Sequence, residues 1–254
     1  YGPEQGLAVA RVHQIVPDRE GRPWFLSIAP THGSDERGAF VFDGDNFVRW
    51  STVEGLLNDR VYEFTEGPDG SRWFATDGGL SRWREDAWTH WAFEDGVRGP
   101  TFTLALDLDG RLWFGHGGAA AGLGFIDPDG RVAYLAAPDV LASRFVWDLA
   151  VGPDRALWVS TQSGLGVMRE GAGVVLGAEN GLSNPVLWPV VPMRDRVLVG
   201  TMGSGLVELV TSEASDPPPV VSARAPLVDG ANVVLRWDAA AYNGQQLPED
   251  ISMR

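Results

Sequence analysis

The side chains able to do acid–base, metal or nucleophilic chemistry in this sequence are few and irregularly spaced. Four histidines occur, His13, His32, His90 and His116, and none lies in an HExxH, Gly-x-Ser-x-Gly or phosphate-loop setting. Glu63 and Asp148 occupy one repeated column, whose other members read as Gln14, Thr103 and Trp188. Two acids in one column could trade protons with a substrate, but a column otherwise filled by Gln, Thr and Trp reads as polarity between packed units. The run DGDN at Asp43 to Asn46 opens like a calcium loop and lacks the later ligands, including the terminal glutamate; it reads as a strand connection. With no cysteine, neither a Cys-based metal or redox site nor a disulfide is available. These residues predict no catalytic centre, no metal and no cofactor.

The composition narrows the partners. A formal net charge of −14 over 254 residues repels phosphate backbones and anionic lipid, which argues against nucleic acid and peripheral membrane binding. Neutral, cationic or proteinaceous ligands remain. No apolar run reaches the roughly 20 residues that span a bilayer, and the opening YGPEQGLAVA is not a signal peptide. Any anchor or export signal is therefore expected in segments outside this chain.

Candidate side chains need elements to hold them, and those elements repeat. Trp 11 against Tyr 4, with Gly 32 and Pro 17, asks for many turns and a regular use of tryptophan. Aligned on GPDGSRWFATDGGLSRW, the tryptophan recurs as Trp24, Trp73, Trp113 and Trp158, with Leu198 in the same column. Each copy runs through a lead-in (QGLAVARV, EGLLNDRV, DGVRGPTF, DVLASRFV, NGLSNPVL), an apolar strand, a tight turn, the Trp strand, a Gly-containing loop and another strand. The turns DREGRPW, PDGSRW and LDGRLW supply the positive φ that short hairpins need. In PDRALW, Arg155 takes the glycine position, which predicts a different or a strained turn. A unit of about 40 to 50 residues with four strand-sized runs cannot bury both faces alone, but such units packed face to face around an axis can. The fold class expected is all-β, a β-propeller of four-stranded blades with the beginning of a C-terminal β-sandwich.

On a propeller, rigid blades position the loops that bind. The default ligand face is the one carrying the lead-ins and the Gly-rich loops. It is expected to hold Arg11, Arg60 and Arg144 from the lead-ins and the insertion after Ser27, with His32, Asp35, Glu36 and Arg37. It also holds Asp77, His116, Gln162, Ser163, Met202 and Ser204. His116 stands out, because it puts an imidazole where sister copies carry a hydroxyl.

Two copies, GLLNDRVYEFTEGPDGSRWFATDGGLSRW and GLSNPV with VLVGTMGSGLVEL, resemble the two-component regulator propeller repeat. The resemblance covers about residues 4 to 210. Copy one departs by its insertion, copy three by His116 and copy five by the missing tryptophan. It implies a periplasmic or extracellular sensory region of a bacterial receptor that binds a small molecule, an oligosaccharide or a protein partner without catalysis. It further implies a small Ig-like β-sandwich after the last blade. The domains expected are a propeller at 1–211, a Pro-rich linker at 212–219 and an incomplete sandwich at 220–254, in which VVLRWDAA reads as a strand and DGAN as a turn.

The interval from Tyr1 to Gly6 equals those from Trp50 to Gly55 and from Trp91 to Gly96. Tyr1 is thus expected to end a fourth strand of a blade that is otherwise absent, and a strand from the N-terminal side would complete blade five, which runs into the linker without a fourth strand of its own. The five copies fit either a closed ring or part of a larger one, commonly of seven blades in the family. Open strand edges in a partial ring would favour a homodimer. Two other readings stand beside the sensor: a lyase similar to streptogramin lyases, and a propeller that serves only for protein docking.

Overall fold

The computed structural model describes residues 3–7, 12–28, 37–117, 122–135, 141, 143–169, 171–180, 182, 184 and 186–210, and the backbone of four short strands between 220 and 240. The expected linker and Tyr1 lie outside the described residues.

Each repeat folds as an antiparallel meander. Blade one is β1 (Gln14–Pro17), β2 (Pro23–Ser27), β3 (Gly38–Phe42) and β4 (Phe47–Trp50). Blade two is β5 (Val61–Glu66), β6 (Arg72–Thr76), β7 (Gly79–Arg84) and β8 (Ala87–Trp91). Blade three is β9 (Thr101–Leu106), β10 (Leu112–His116), β11 (Leu123–Ile126) and β12 (Val132–Tyr134). Blade four is β13 (Val146–Val151), β14 (Leu157–Thr161), β15 (Gly164–Arg169) and β16 (Ala172–Leu176). Blade five has three strands among the described residues, β17 (Leu187–Pro192), β18 (Arg196–Thr201) and β19 (Gly205–Val210). The chain is all-β, a β-propeller of four-stranded blades. It divides into two compact units, 1–134 with blades one to three and 135–254 with blades four and five.

After blade five, β20 (Val220–Ala223) pairs with β23 (Trp237–Ala240), and β21 (Leu227–Asp229) with β22 (Asn232–Val234). The turn expected at DGAN lies between β21 and β22. The expected strand VVLRWDAA is divided between β22 and β23.

Within each unit the blades pack through the repeat tryptophans. Trp24, Trp73, Trp113 and Trp158 are 0%, 6%, 5% and 6% exposed, and Trp24, Trp73 and Trp158 each plug one blade against the next of the same unit. Trp24 of β2 stacks on Phe64 of β5 with ring centroids 4.4 Å apart. The Arg72 guanidinium lies 5.6 Å from the Trp24 ring and 4.9 Å from that of Trp83, closing the cluster with a cation. Trp73 packs with Trp91, Leu104, Leu112 and Phe114 of the second and third blades. In the second unit Trp158 packs with Leu187, Val190, Val197 and Val199.

The turns before these tryptophans also anchor the indoles. Asp18 accepts the backbone N–H of Glu20 and Arg22 on one oxygen and the Trp24 indole N–H at 3.1 Å on the other. Asp107 repeats this for Asp109, Arg111 and Trp113, with the indole at 2.9 Å. In blade two Gly67 replaces that aspartate, and the Ser71 hydroxyl accepts the Trp73 indole N–H at 3.1 Å. In blade four Gly152 and Ala156 stand at the corresponding positions, and the Trp158 Nε1 is buried with no hydrogen bond among the described residues.

Ala156→Ser would place there the acceptor that Ser71 supplies in blade two. It is expected to raise the unfolding free energy by about 0.5–1.5 kcal/mol, read as a higher urea midpoint. An unchanged or lower midpoint would count against the anchor.

Arg155, expected to change or strain the fourth turn, strains it. Its φ is +66°, against +76° and +80° for Gly70 and Gly110. Its N–H bonds Gly152 O at 2.9 Å, as Gly70 N–H bonds Gly67 O at 3.1 Å. The turn keeps its type, and a residue with a Cβ bears the left-handed conformation at a cost of about 1–2 kcal/mol.

Candidate functional site

The head of each blade is where the lead-in meets the loop after the Trp strand, and one backbone bond recurs there. Asp77 N–H donates to Arg60 O at 3.1 Å, Gln162 N–H to Phe145 O at 3.2 Å and Met202 N–H to Val186 O at 3.0 Å. A threonine just before the loop closes it: Thr76, Thr161 and Thr201 donate through Oγ1 to the carbonyls of Gly79, Gly164 and Gly205 at 2.9, 2.8 and 2.8 Å. Expected site residues far apart in sequence are thus brought side by side in pairs, Arg60 with Asp77 and the segment following Arg144 with Gln162 and Ser163.

In the first unit the pair extends to an aromatic group. The Arg60 guanidinium lies 3.5 Å from Asp77 Oδ2 and donates through Nε to Ile28 O at 3.0 Å. The Tyr62 hydroxyl donates to Asp77 Oδ1 at 3.0 Å. Burial and then the Asp77 carboxylate push the Tyr62 phenol up to about 12, so it stays a proton donor at ordinary pH. Tyr62 stacks on Phe102 at 4.4 Å and receives the edge of His13 at 6.2 Å. A Cβ on Gly117 would fall 1.9 Å from the Phe102 ring, so the absence of a side chain lets that ring lie on the loop.

In the second unit Phe145 lies 4.5 Å from Trp147, and Trp147 stacks on Trp188 at 5.7 Å and 20°. Trp188 is 40% exposed and Met202 55%. Arg144, Gln162, Ser163 and Ser204 are exposed as well. Asn184 donates through its amide to Met202 O at a short distance and accepts from Val186 N–H at 3.0 Å, which fixes the loop that carries Met202.

Pairing register corrects the column in which Trp188 was expected beside Glu63 and Asp148. Val61 pairs with Thr76 and Glu63 with Ala75, which leaves Tyr62 unopposed in a bulge. The same shift leaves Phe102 between Thr101 and Thr103, and Trp147 between Val146 and Asp148. In blade five it leaves Trp188 and Pro189 between Leu187 and Val190. Trp188 therefore belongs with Tyr62, Phe102 and Trp147. His13, just before Gln14, is the blade-one member, since Gln14 pairs with Leu26. One aromatic or imidazole side chain per blade at the head of the inner strand was not anticipated from the sequence; the mark it leaves there is a ring directly before the polar column.

The acids themselves tie blades together. Glu63 accepts Leu104 N–H from β9 at 3.1 Å and the Gln14 amide from blade one at 3.3 Å. Asp148 accepts Val190 N–H from β17 at 2.8 Å and Leu149 N–H at 2.9 Å. Asp43 accepts Asp45 and Asn46 N–H at 2.9 and 2.8 Å, as a strand connection would. Among the described residues no group of three His, Asp or Glu could hold a metal ion.

His116 is not at the ligand-facing surface where it was expected. It ends β10 and is 1% exposed. Its Nδ1 lies 3.0 Å from Pro100 O and its Nε2 2.8 Å from the Tyr134 hydroxyl. The ring takes over from the serine or threonine of the sister blades, and its nitrogens are spent on the blade itself. His90 sits on β8, half-buried, with Nδ1 3.1 Å from Ser81 Oγ. Arg11, His32, Asp35 and Glu36 lie outside the described residues; Arg37 is half-buried and its carbonyl accepts Arg49 Nε at 2.9 Å.

The blades define this chain as a propeller, and comparison with known proteins adds fold relatives. No family model and no curated protein matches it. A streptogramin B lyase superposes with a TM-score of 0.63 at 14% identity, over 94% of this chain and 84% of that one. An extracellular domain assigned to a hybrid two component system of B. thetaiotaomicron superposes with a TM-score of 0.61 at 20% identity, over 97% of this chain and 34% of that one. A second such domain from the same organism gives 0.58 at 16%, over 100% of this chain and 41% of that one. At these identities the likeness is one of fold. The chain spans well under half of either extracellular domain.

Proposed function

We propose that this chain is a non-catalytic ligand-sensing module of an exported bacterial signalling receptor. It captures a small molecule or oligosaccharide at the head of blades four and five, and the strands beyond residue 220, read as the start of an Ig-like piece, relay the capture. The observation that carries this reading is the Phe145–Trp147–Trp188 ladder, whose last ring is 40% exposed beside the exposed Met202. A rigid, partly bare indole backed by a second indole offers a flat apolar face at little entropic cost. Exposed Arg144, Gln162 and Ser163 supply polar groups at the same blade heads. The fold likeness to extracellular domains of two component systems supports the exported setting. The acids that catalysis would use are engaged in backbone bonds between blades.

The test begins with a thermal-shift screen of oligosaccharides and small metabolites, followed by titration calorimetry on the hit. Trp188→Ala is expected to weaken binding at least about tenfold, or roughly 1.4 kcal/mol, while unfolding stays cooperative. Arg19→Ala and Arg111→Ala, in the turns at the other end of the blades, are expected to leave binding intact. Loss of binding in the turn variants with none in Trp188→Ala would place the site elsewhere.

A further inference from the structure

His116, Tyr134 and the segment Arg98–Pro100 form a closed hydrogen-bond circuit at the head of blade three. A carbonyl can only accept, so the contact of His116 Nδ1 with Pro100 O at 3.0 Å puts a proton on Nδ1. The neutral ring then accepts at Nε2, and the Tyr134 hydroxyl donates to it across 2.8 Å. The same hydroxyl oxygen accepts Arg98 N–H at 2.8 Å. Both ends of the segment 98–100 are therefore held by one tyrosine–histidine pair. Phe114 packs edge-on against the His116 and Tyr134 rings, at 5.4 and 5.7 Å.

A second proton on this ring breaks the circuit at Nε2. Nε2 would become a donor facing a phenol that already accepts from Arg98, and the hydroxyl would lose its acceptor. Among the described residues, the charged and titratable groups that face the ring are Arg98 from the lead-in and Tyr134 from β12; the Arg98 guanidinium lies 3.8 Å from the centre of the Tyr134 ring. Neither offers the imidazolium a counter-charge.

We propose that this circuit is a proton-operated latch: with a neutral His116 it holds the lead-in of blade three shut, and protonation releases the segment 98–100. The sister blades carry Ser27, Thr76, Thr161 and Thr201 at this position, which do not titrate, so the release is confined to blade three. Burial outweighs the opposing hydrogen bonds to the Pro100 and Gly99 backbone and, with a smaller contribution from Arg98, lowers the His116 pKa from its ordinary value. The folded state therefore binds the proton less readily than the unfolded chain. The latch's stability is complete above the ordinary histidine range, near 6.5, and is lost as the pH falls below it.

The test is hydrogen exchange, corrected for intrinsic rates, at about pH 7.5 and about pH 5, read on peptides covering 97–104 and, as the internal control, 56–64. The wild type is expected to lose protection in 97–104 at the lower pH with 56–64 unchanged. His116→Gln, whose amide can donate to Pro100 O and accept from Tyr134 without titrating, is expected to stay protected at both. Tyr134→Phe is expected to expose 97–104 at both. Undiminished protection of the wild type at the lower pH, or the same acid loss in His116→Gln, would overturn the latch. If His116→Gln does not fold, ring 15N shifts of His116 in the wild type decide: protonation without loss of protection in 97–104 overturns the proposal, and coincident midpoints support it.

Discussion

Trp73→Ala is expected to lower the unfolding free energy by about 3–5 kcal/mol, the range for truncating a buried aromatic, with Trp113→Ala close behind. Trp73 is 6% exposed, stacks on Trp91 at 5.2 Å and reaches Leu104 and Phe114 of the next blade. Truncation removes those contacts and the hydrogen bond from the indole to the Ser71 hydroxyl. The cavity lies between two sheets tied by their own ladders, so the blades cannot easily collapse to fill it. Urea unfolding followed by tryptophan fluorescence and circular dichroism gives the midpoint and slope together. Leu198, which stands in the same column and is only half-buried, sets the scale: Leu198→Ala should cost clearly less. Midpoints for Trp73→Ala and Trp113→Ala near the wild type would mean that the tryptophans do not plug the blades.

Glu63→Ala is expected to cost about 1–3 kcal/mol by leaving Leu104 N–H buried without the carboxylate it bonds at 3.1 Å. Glu63→Gln keeps an acceptor and is expected to cost less than half as much. This difference separates a blade tie from an acid whose charge matters, because only the tie tolerates the amide. Equal losses in the two variants would show that the carboxylate's charge, and not its acceptor geometry, is what the fold uses.

Much of the fold was legible in the sequence. The recurrence of Trp24, Trp73, Trp113 and Trp158, with Asp-Gly turns before them and Gly loops after them, determined the strand order and the blade unit. Hairpin turns, left-handed glycines and alternating strands are local, and short-range sterics write them directly into residue type. The interval of six residues from Asp18 to Trp24 and from Asp107 to Trp113 also held the indole anchor, which the reading of the turns did not use.

The grouping of the lead-ins with the loops was legible in outline. Arg60 with Asp77, and Gln162 and Met202 each beside a lead-in, came together because the lead-ins and loops share one end of each blade. Tertiary structure decided the rest. A bulge inserts a single residue into the ladder, which is why Trp188 moves from the acid column to the ring column and Glu63 turns to Leu104 of another blade. Spacing along the chain cannot show where such a slip falls, because it depends on the partner strand. His116 reads as a surface loop residue until Tyr134 and Pro100, remote in sequence, close over it. Burial is set by what arrives from elsewhere in the chain, and a residue's own sequence neighbours carry little record of that.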